Sequence, residues 1–365
     1  MDIEVNIKKQ DLINFIRAIL YFIYPKIKDF YKPMLIVIGF FYGVIINKIA
    51  FESIEWRNLF LMLFMFDFLI YQARFQMNDI FELRDKKNID PKKIFFNIGL
   101  TRKKTIFISS FVIALRLILF LFVIFFVDKN IALNILLCVG LIIFFAVCYE
   151  IARAKKSIFP VFFFVCFGYP LRFLAGFLAA FENNFLNINF SFYLILVLIA
   201  YAFFGEFANI LYWTKEALAQ KEKNIELRKK HYEFLCNKSN GKLFLDGKGK
   251  IFDIWNWNFI LSVFFLSLAI LLKSDFDVLI LFLEICFWVL IIFFVLSSKK
   301  KLSLITPFLF FIWSLKICVF DWEVTFFCLN QAMFICVYYF LRFSSEFGKN
   351  NFITKKNRAG ESSRN

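Results

Sequence analysis

Histidine occurs once in this 365-residue chain, at His231 in a charged stretch, so histidine-based metal clusters and a Ser-His-Asp triad are excluded. No Cys-x-x-Cys pair occurs. The eight cysteines stand at 138, 148, 166, 236, 286, 318, 328 and 336, seven of them inside apolar runs, where a thiol behaves as a small hydrophobe. Neither a disulfide framework nor a zinc site is indicated. The chain carries neither G-x-x-x-x-G-K-[ST] nor G-x-G-x-x-G, which leaves nucleotide binding through a glycine cradle without support. No internal repeat of the kind common in transporters is visible. Charge is scarce too: 20 % of residues are charged and 61 % apolar, whereas soluble domains carry roughly a quarter charged residues. Residues 1–32 are charged with only a short apolar stretch, so no cleavable signal peptide is expected and the first true span acts as its own insertion signal.

What is present is long, continuous apolar sequence. Phenylalanine supplies 58 residues, read as lipid-facing or packing side chains rather than as an aromatic binding box. A helix needs about 20 residues to cross a hydrocarbon core of about 30 Å. Apolar runs between charge clusters predict spans near 33–51, 57–77, 105–127, 131–149, 158–181, 190–213, 254–272, 277–297, 303–320 and 324–343. The runs are continuous rather than alternating, which argues against a β-barrel. The expected fold is all-α, a polytopic transmembrane bundle of nine to ten spans. It has a cytoplasmic segment at 1–32, a bundle over 33–343 and a disordered basic tail at 344–365.

The basic residues orient this bundle. Thirty-six Lys and Arg fall on the side that holds both termini and the loops 78–104, 150–157, 214–253 and 298–302; only Arg57, Lys129 and Lys273 fall on the other. Basic loops stay cytoplasmic, so both termini are expected there. The net charge of +16 is thereby a topological signal, and no nucleic-acid partner is expected. Loops 78–104 and 214–253 are too long and polar to be mere connectors. The second reads as a charged helix followed by a hairpin turning at Asp246-Gly247.

Two constellations could carry chemistry. At the end of the second span, Asn78, Asp79, Glu82 and Asp85 fall within an arc of about 120° on one helix face. Carboxylates crowded this way repel unless a cation joins them. Mg²⁺, a hard ion that takes oxygen ligands and substrate phosphates, is the natural candidate, with Asp79, Glu82 and Asp85 as ligands. The plainer account is a solvated acidic helix end neutralised by Lys86, Lys87, Lys92 and Lys93. At the end of the sixth span, Glu206, Asn209, Trp213 and Glu216 share a face about 80° wide, with Glu206 inside the apolar run. An ionisable group at that depth faces the bundle interior or a wet cavity. It either lines a site or pairs with a buried arginine, for which Arg74, Arg116 and Arg172 are available. Fixed cations beside two acidic patches suit a phosphorylated substrate. Lys155 and Lys156, at the cytoplasmic end of the fourth span, fit phosphate binding and topological bookkeeping equally. Asp67, Glu284 and Lys316 are intramembrane ionisable residues without an evident pattern.

These residues resemble the UbiA superfamily of intramembrane prenyltransferases, whose second helix ends in Asn-Asp-x-x-Asp-x-x-x-Asp. Here that place reads Asn78-Asp79-Ile80-Phe81-Glu82-Leu83-Arg84-Asp85-Lys86, with Glu82 for the second acid and the third one residue early. Tyr149 with Arg153, Lys155 and Lys156 is similar to the family's Tyr-to-Lys segment. Arg172, Ala175 and Gly176, preceded by Gly168, match its Arg-x-x-Ala-Gly signature. The agreement covers roughly residues 30–225. The family's second Asp-rich motif is missing after the sixth span. Asp90-Pro91-Lys92-Lys93 is reminiscent of a stretch in the branch that makes polyprenyl-phosphate ribose phosphates. Ten spans, against the family's usual nine, is a further departure.

The resemblance implies a Mg²⁺-dependent transferase of the bacterial inner membrane, feeding cell-envelope synthesis in its phosphoribosyl version. Its partners would be an isoprenoid lipid phosphate or diphosphate and either a small-molecule acceptor or a sugar pyrophosphate donor. Asp79, Glu82 and Asp85 would hold the metal and Asn78 would orient them. Lys92, Lys93, Lys155, Lys156, Arg172 and Lys215 would bind phosphate, and Glu206, Asn209 and Glu216 would shape the second half of the site. A transporter or flippase of a phosphorylated lipid, and a family member that has lost catalysis, remain the alternatives.

Overall fold

The computed structural model describes residues 22–23, 32–49, 51–84, 101–155, 158–181, 192–222, 254–275, 277–296, 309, 312–313, 315–316 and 324–338. Its elements are helical throughout this set. In chain order they are α1 (Met34–Ile46), α2 (residues 56–84), α3 (Arg102–Ile124), α4 (Lys129–Ala154), α5 (Ile158–Cys166), α6 (Gly168–Ala179), α7 (Phe192–Glu222), α8 (Ile254–Lys273), α9 (Val278–Leu296) and α10 (Val324–Tyr338).

Five stretches are long and apolar enough to cross a membrane: Trp56–Asn78, Arg102–Ile124, Lys129–Arg153, Phe159–Ala179 and Phe192–Trp213. Shorter apolar stretches lie at Met34–Ile46, Trp257–Lys273, Val278–Ile292 and Val324–Tyr338. The expected span at 303–320 contributes only Leu309, Ile312, Trp313, Leu315 and Lys316 to the described residues.

Burial on α3 is inverted relative to a water-soluble helix. Its buried residues are Thr105, Ser109, Arg116 and Phe120, spaced to form one stripe. Phe107, Phe111, Leu115, Ile118 and Phe122 on its other faces are more than half exposed. In water this would leave a large apolar surface uncovered; in a bilayer hydrocarbon covers it and the polar stripe turns inward. That inversion is the physical signature of an integral membrane helix. Only 17 % of α3 is buried against 61 % of the Trp56–Asn78 span, which makes α3 peripheral and α2 central.

The chain forms two compact units. The first comprises residues 1–143 and 171–188. Within it α1 and α6 touch backbone to backbone: a Cβ on Gly176 would stand 1.8 Å from the Ile36 carbonyl oxygen, and one on Gly39 would stand 2.0 Å from that of Phe173. Small residues at crossings are how membrane helices gain contact without a hydrophobic driving force between them. This contact fixes α6, and with it Arg172, one turn before Gly176. From α4, Asn134 Nδ2 donates to the Leu178 carbonyl at 3.3 Å.

The second unit comprises residues 144–170 and 189–365. Here α7 packs along α8 and against α5. Phe207, Phe259 and Tyr338 form one aromatic cluster, and Phe204 stacks on Phe334 with ring centres 4.0 Å apart. Pro170 has no N–H to return to the Cys166 carbonyl, and the helix breaks at Phe167 between α5 and α6. That carbonyl instead lies against Gly205, where an added Cβ would come within 2.9 Å of it.

Candidate functional site

Nine residues of α2, Leu63–Tyr71, wind as a π-helix, a form concentrated at functional positions. Asp67 sits in its middle, buried among apolar neighbours. From α6, Arg172 Nε donates to Asp67 Oδ1 at 3.1 Å, and both side chains are almost wholly shielded. The guanidinium carbon lies 3.4 Å from the centre of the Tyr71 ring, one helical step from the acid it pairs with. Such a site satisfies a buried arginine twice, by a charge-assisted hydrogen bond and by the negative face of an aromatic ring.

Two more cations close on the same tyrosine. Arg74 Nη1 donates to the Tyr71 hydroxyl at 3.2 Å. Lys32, just before α1, lies 5.9 Å from the Phe75 ring and is near enough to act electrostatically on Tyr71. Arg74 and Lys32 are half-buried, while Tyr71 and Arg172 are buried. Lys32, Arg74, Arg172, Asp67 and Tyr71 thus form one polar cluster inside the first unit.

Beside it, the α3 stripe meets α2. Arg116 Nη1 donates to the Phe68 carbonyl in the π segment at 3.2 Å, and Nη2 donates to the carbonyls of Phe22, at 3.3 Å, and Ile23. Gln76 Nε2 donates to the same Phe22 carbonyl at 2.9 Å. Phe22 and Ile23 belong to the segment expected to be a cytoplasmic extension. Arg116 and Gln76 thereby tie these carbonyls to α3 and α2. The side-chain oxygens of Gln72, Gln76 and Ser109 have no hydrogen-bond partner among the described residues.

The expected site residues distribute as follows. Asn78 is half-buried on α2, and positions 79 and 82 lie on the same helical segment, Gln72–Arg84; the Asp79 and Glu82 side chains lie outside the described set. Asp85, Lys92, Lys93 and Lys156 also lie outside it. Lys155, just past α4, is exposed. Lys215 and Glu216 are positions on α7 whose side chains are outside the described set. Among the described residues no group of three His, Cys, Asp or Glu side chains could hold a metal ion.

Glu206 belongs to the second unit. It is half-buried on α7, against Asn258 of α8 and near Cys166 of α5. Asn209 Nδ2 donates to the carbonyl of Gly205 in its own helix, at 2.8 Å. The arginines considered as partners of Glu206 are engaged elsewhere: Arg172 with Asp67, Arg74 with Tyr71 and Arg116 with backbone carbonyls.

A second buried ion pair lies in this unit. Lys316 Nζ meets Glu284 Oε1 at 2.5 Å, with both side chains almost fully shielded. It also donates to Gln331 Oε1 at 3.3 Å and sits 3.9 Å from the centre of the Phe287 ring. Gln331 Nε2 and Trp288 Nε1 both donate to Ser267 Oγ, at 2.8 and 3.1 Å. Next along α10, Asn330 accepts from the Tyr201 hydroxyl. Sequence reading had left Asp67, Glu284 and Lys316 without a pattern. The signal was charge itself: each is an intramembrane group that needs an opposite charge, and the chain offers Arg172 for the first and pairs the other two with each other.

The described helices define the class, an all-helical integral membrane protein. Comparison with family models, with curated proteins and with solved structures finds no match for this chain.

Proposed function

We propose that this chain is a UbiA-type, Mg²⁺-dependent transferase acting on a polyprenyl phosphate or diphosphate. The observation that carries the reading is a conjunction on one helix: α2 bears Asn78, Asp79 and Glu82 in its last turns and, two turns earlier, the tyrosine on which Lys32, Arg74 and Arg172 converge. Acidic ligands for a metal beside a cationic cluster are what a phosphorylated substrate requires. The donor chemistry suits Mg²⁺, since an amide and carboxylates spaced along one helical face are hard oxygen ligands. Asp79 and Glu82 would hold the ion, with Asn78 and Asp85 beside them. When bound, Mg²⁺ neutralises charge on a departing diphosphate. The protein's own cations share that task, and its apolar walls take the isoprenoid chain.

In this reading the loops at 78–104 and 214–253 are cytoplasmic, both termini face the same side, the spans number nine to ten, and the membrane is a bacterial inner membrane. The uneven distribution of Lys and Arg supports that orientation.

The test uses purified protein in nanodiscs with Mg²⁺, given radiolabelled polyprenyl phosphate with phosphoribosyl pyrophosphate, or a prenyl diphosphate with aromatic acids. Diphosphate release is expected with one of the two pairs. Asp79→Ala is expected to lower turnover by about 10²–10³-fold with the fold retained, the usual scale for losing a group that stabilises developing charge. Buried charges mid-membrane also suit a carrier. An inert protein that moves lipid phosphate across vesicles would replace the transferase by a flippase.

A further inference from the structure

The seam between α2 and α3 is short of hydrogen-bond donors among the described residues. α3 packs against both the π segment and the Gln72–Arg84 part of α2. The bond from Arg116 to the Phe68 carbonyl sets their register. Two turns back along α3, Ser109 comes level with Gln76, two turns on along α2, because successive spans run in opposite directions. Gln72 and Gln76 stand one turn apart on one face, and position 79 continues it within an arc of about 60°. Gln72 Oε1, Gln76 Oε1 and Ser109 Oγ have no hydrogen-bond partner among the described residues, and all three residues are at most 2 % exposed. In Gln76 the oxygen is fixed as the unpaired atom, since only the amide nitrogen can donate to the Phe22 carbonyl. Thr105, one turn before Ser109, gives its hydroxyl proton to the Thr101 carbonyl.

Arg116 makes the opposite demand on the same seam. It is buried, its hydrogen bonds go to backbone carbonyls, and among the described residues no carboxylate forms an ion pair with it. A cation would meet the oxygens of Gln72, Gln76 and Ser109 but is repelled by Arg116, whose guanidinium shares the Phe22 carbonyl with Gln76. An anion would meet Arg116 and be repelled by the three oxygens. A neutral molecule that both donates and accepts answers both demands, and water is small enough for a seam so shielded. We infer that the seam between α2 and α3 is an internal water site. Waters donate there to Gln72 Oε1, Gln76 Oε1 and Ser109 Oγ and turn their lone pairs toward Arg116. Left unmet, each of these acceptors costs the desolvation of a polar group. The site carries the polar face of α2 from position 79 into the apolar bundle, and it stands whether or not the chain is a transferase.

The experiment is water-edited solid-state NMR of the full chain in lipid bilayers, which reads polarisation transfer from water protons to side-chain carbons. Gln331 is the reference: equally buried in the second unit, it has both its side-chain oxygen and its nitrogen paired. Transfer to the Gln72 and Gln76 side chains should build up several-fold faster than to Gln331, and equal rates would overturn the inference. Ser109→Ala removes one partner of the water and should slow transfer at Gln76 and lower the melting temperature. A dry seam gives the opposite sign, because deleting an unmet buried hydroxyl stabilises the fold. A melting temperature that does not fall would therefore overturn the water site as well. Melting in KCl against choline chloride at equal ionic strength separates water from an ion. Wild type and Ser109→Ala should respond alike to the exchange of salts. Potassium that stabilises wild type and not Ser109→Ala would give the seam to a monovalent cation and end the assignment to water.

Discussion

Among the described residues each unit buries one ion pair between apolar helices, and the two pairs differ in what surrounds them. Lys316–Glu284 is balanced: one cation, one acid, and a shell of neutral groups from Gln331, Ser267, Trp288 and the Phe287 ring. Asp67–Arg172 is set in a cluster with two further cations, on a helix that departs from α geometry, eleven positions before Asn78. Burying a balanced pair gives helices a fixed partner and register and calls for nothing more. Charged groups gathered beside a pair are found both in structural networks and at functional sites. The first arrangement reads as architecture, and the second is the one on which the proposed transferase depends.

The largest expected effects break the pairs. Glu284→Leu or Lys316→Met alone leaves a shielded charge without its partner and should cost about 3–5 kcal/mol. The double variant, with both charges gone, should recover most of that loss, measured by denaturation in mixed micelles, and keep turnover. Asp67→Leu with Arg172→Met should recover folding in the same way and lose lipid-phosphate binding. A Glu284→Leu/Lys316→Met protein that folds and is inactive would erase the contrast between the two units.

Gly176 and Gly140 probe how tightly the first unit must hold Arg172. Gly176→Ala drives a methyl to within 1.8 Å of the Ile36 carbonyl and should destabilise by about 1–3 kcal/mol, because backbone must part from backbone. Gly140, on α4, has open space around an added Cβ; Gly140→Ala should stabilise by up to about 1 kcal/mol through helix propensity. Thermal denaturation in detergent separates the two. The closest local match to the UbiA signature thus also has a packing account, since Gly176 permits a helix crossing and Arg172 closes an ion pair.

Physical reasons decide what was legible in the sequence. Helix class and membrane placement were, because hydrocarbon demands long uninterrupted apolar runs and these cannot be mistaken for soluble helices. The α3 stripe of Thr105, Ser109 and Arg116 could be read by the same rule inverted. The π segment could not: LFMFDFLIY is apolar on every face, so no change of period marks where 3.6 residues per turn gives way to a wider turn. Partner choice among intramembrane charges was also hidden. Asp67 and Arg172 are 105 residues apart, and contacts distant in sequence, the Gly39–Gly176 crossing of α1 and α6 among them, fix the helix that carries Arg172. The acidic face at 78–82 was visible as spacing alone, and the cations that give it a context come from α2 itself, from α6 and from the residue before α1.

The smallest effects lie in the neutral shells, and they sharpen the comparison most. Ser267→Ala removes the acceptor shared by Gln331 and Trp288 in the balanced network. Interhelical hydrogen bonds in membrane proteins average about 0.6 kcal/mol and reach about 1.7, and the upper end is expected here because two donors lose one partner. Turnover should stay at the wild-type level. Tyr71→Phe removes only the hydroxyl to which Arg74 donates and keeps the ring beneath Arg172. Its stability cost should fall near the average, while Arg74, freed from its local acceptor, loses its fixed position. Lipid-phosphate affinity should then drop by a few-fold, consistent with the loss of one hydrogen bond of about 1 kcal/mol. A Tyr71→Phe protein that is less stable yet binds lipid phosphate as before would make the hydroxyl a packing feature like Ser267, and the two buried pairs would be two versions of one architectural device.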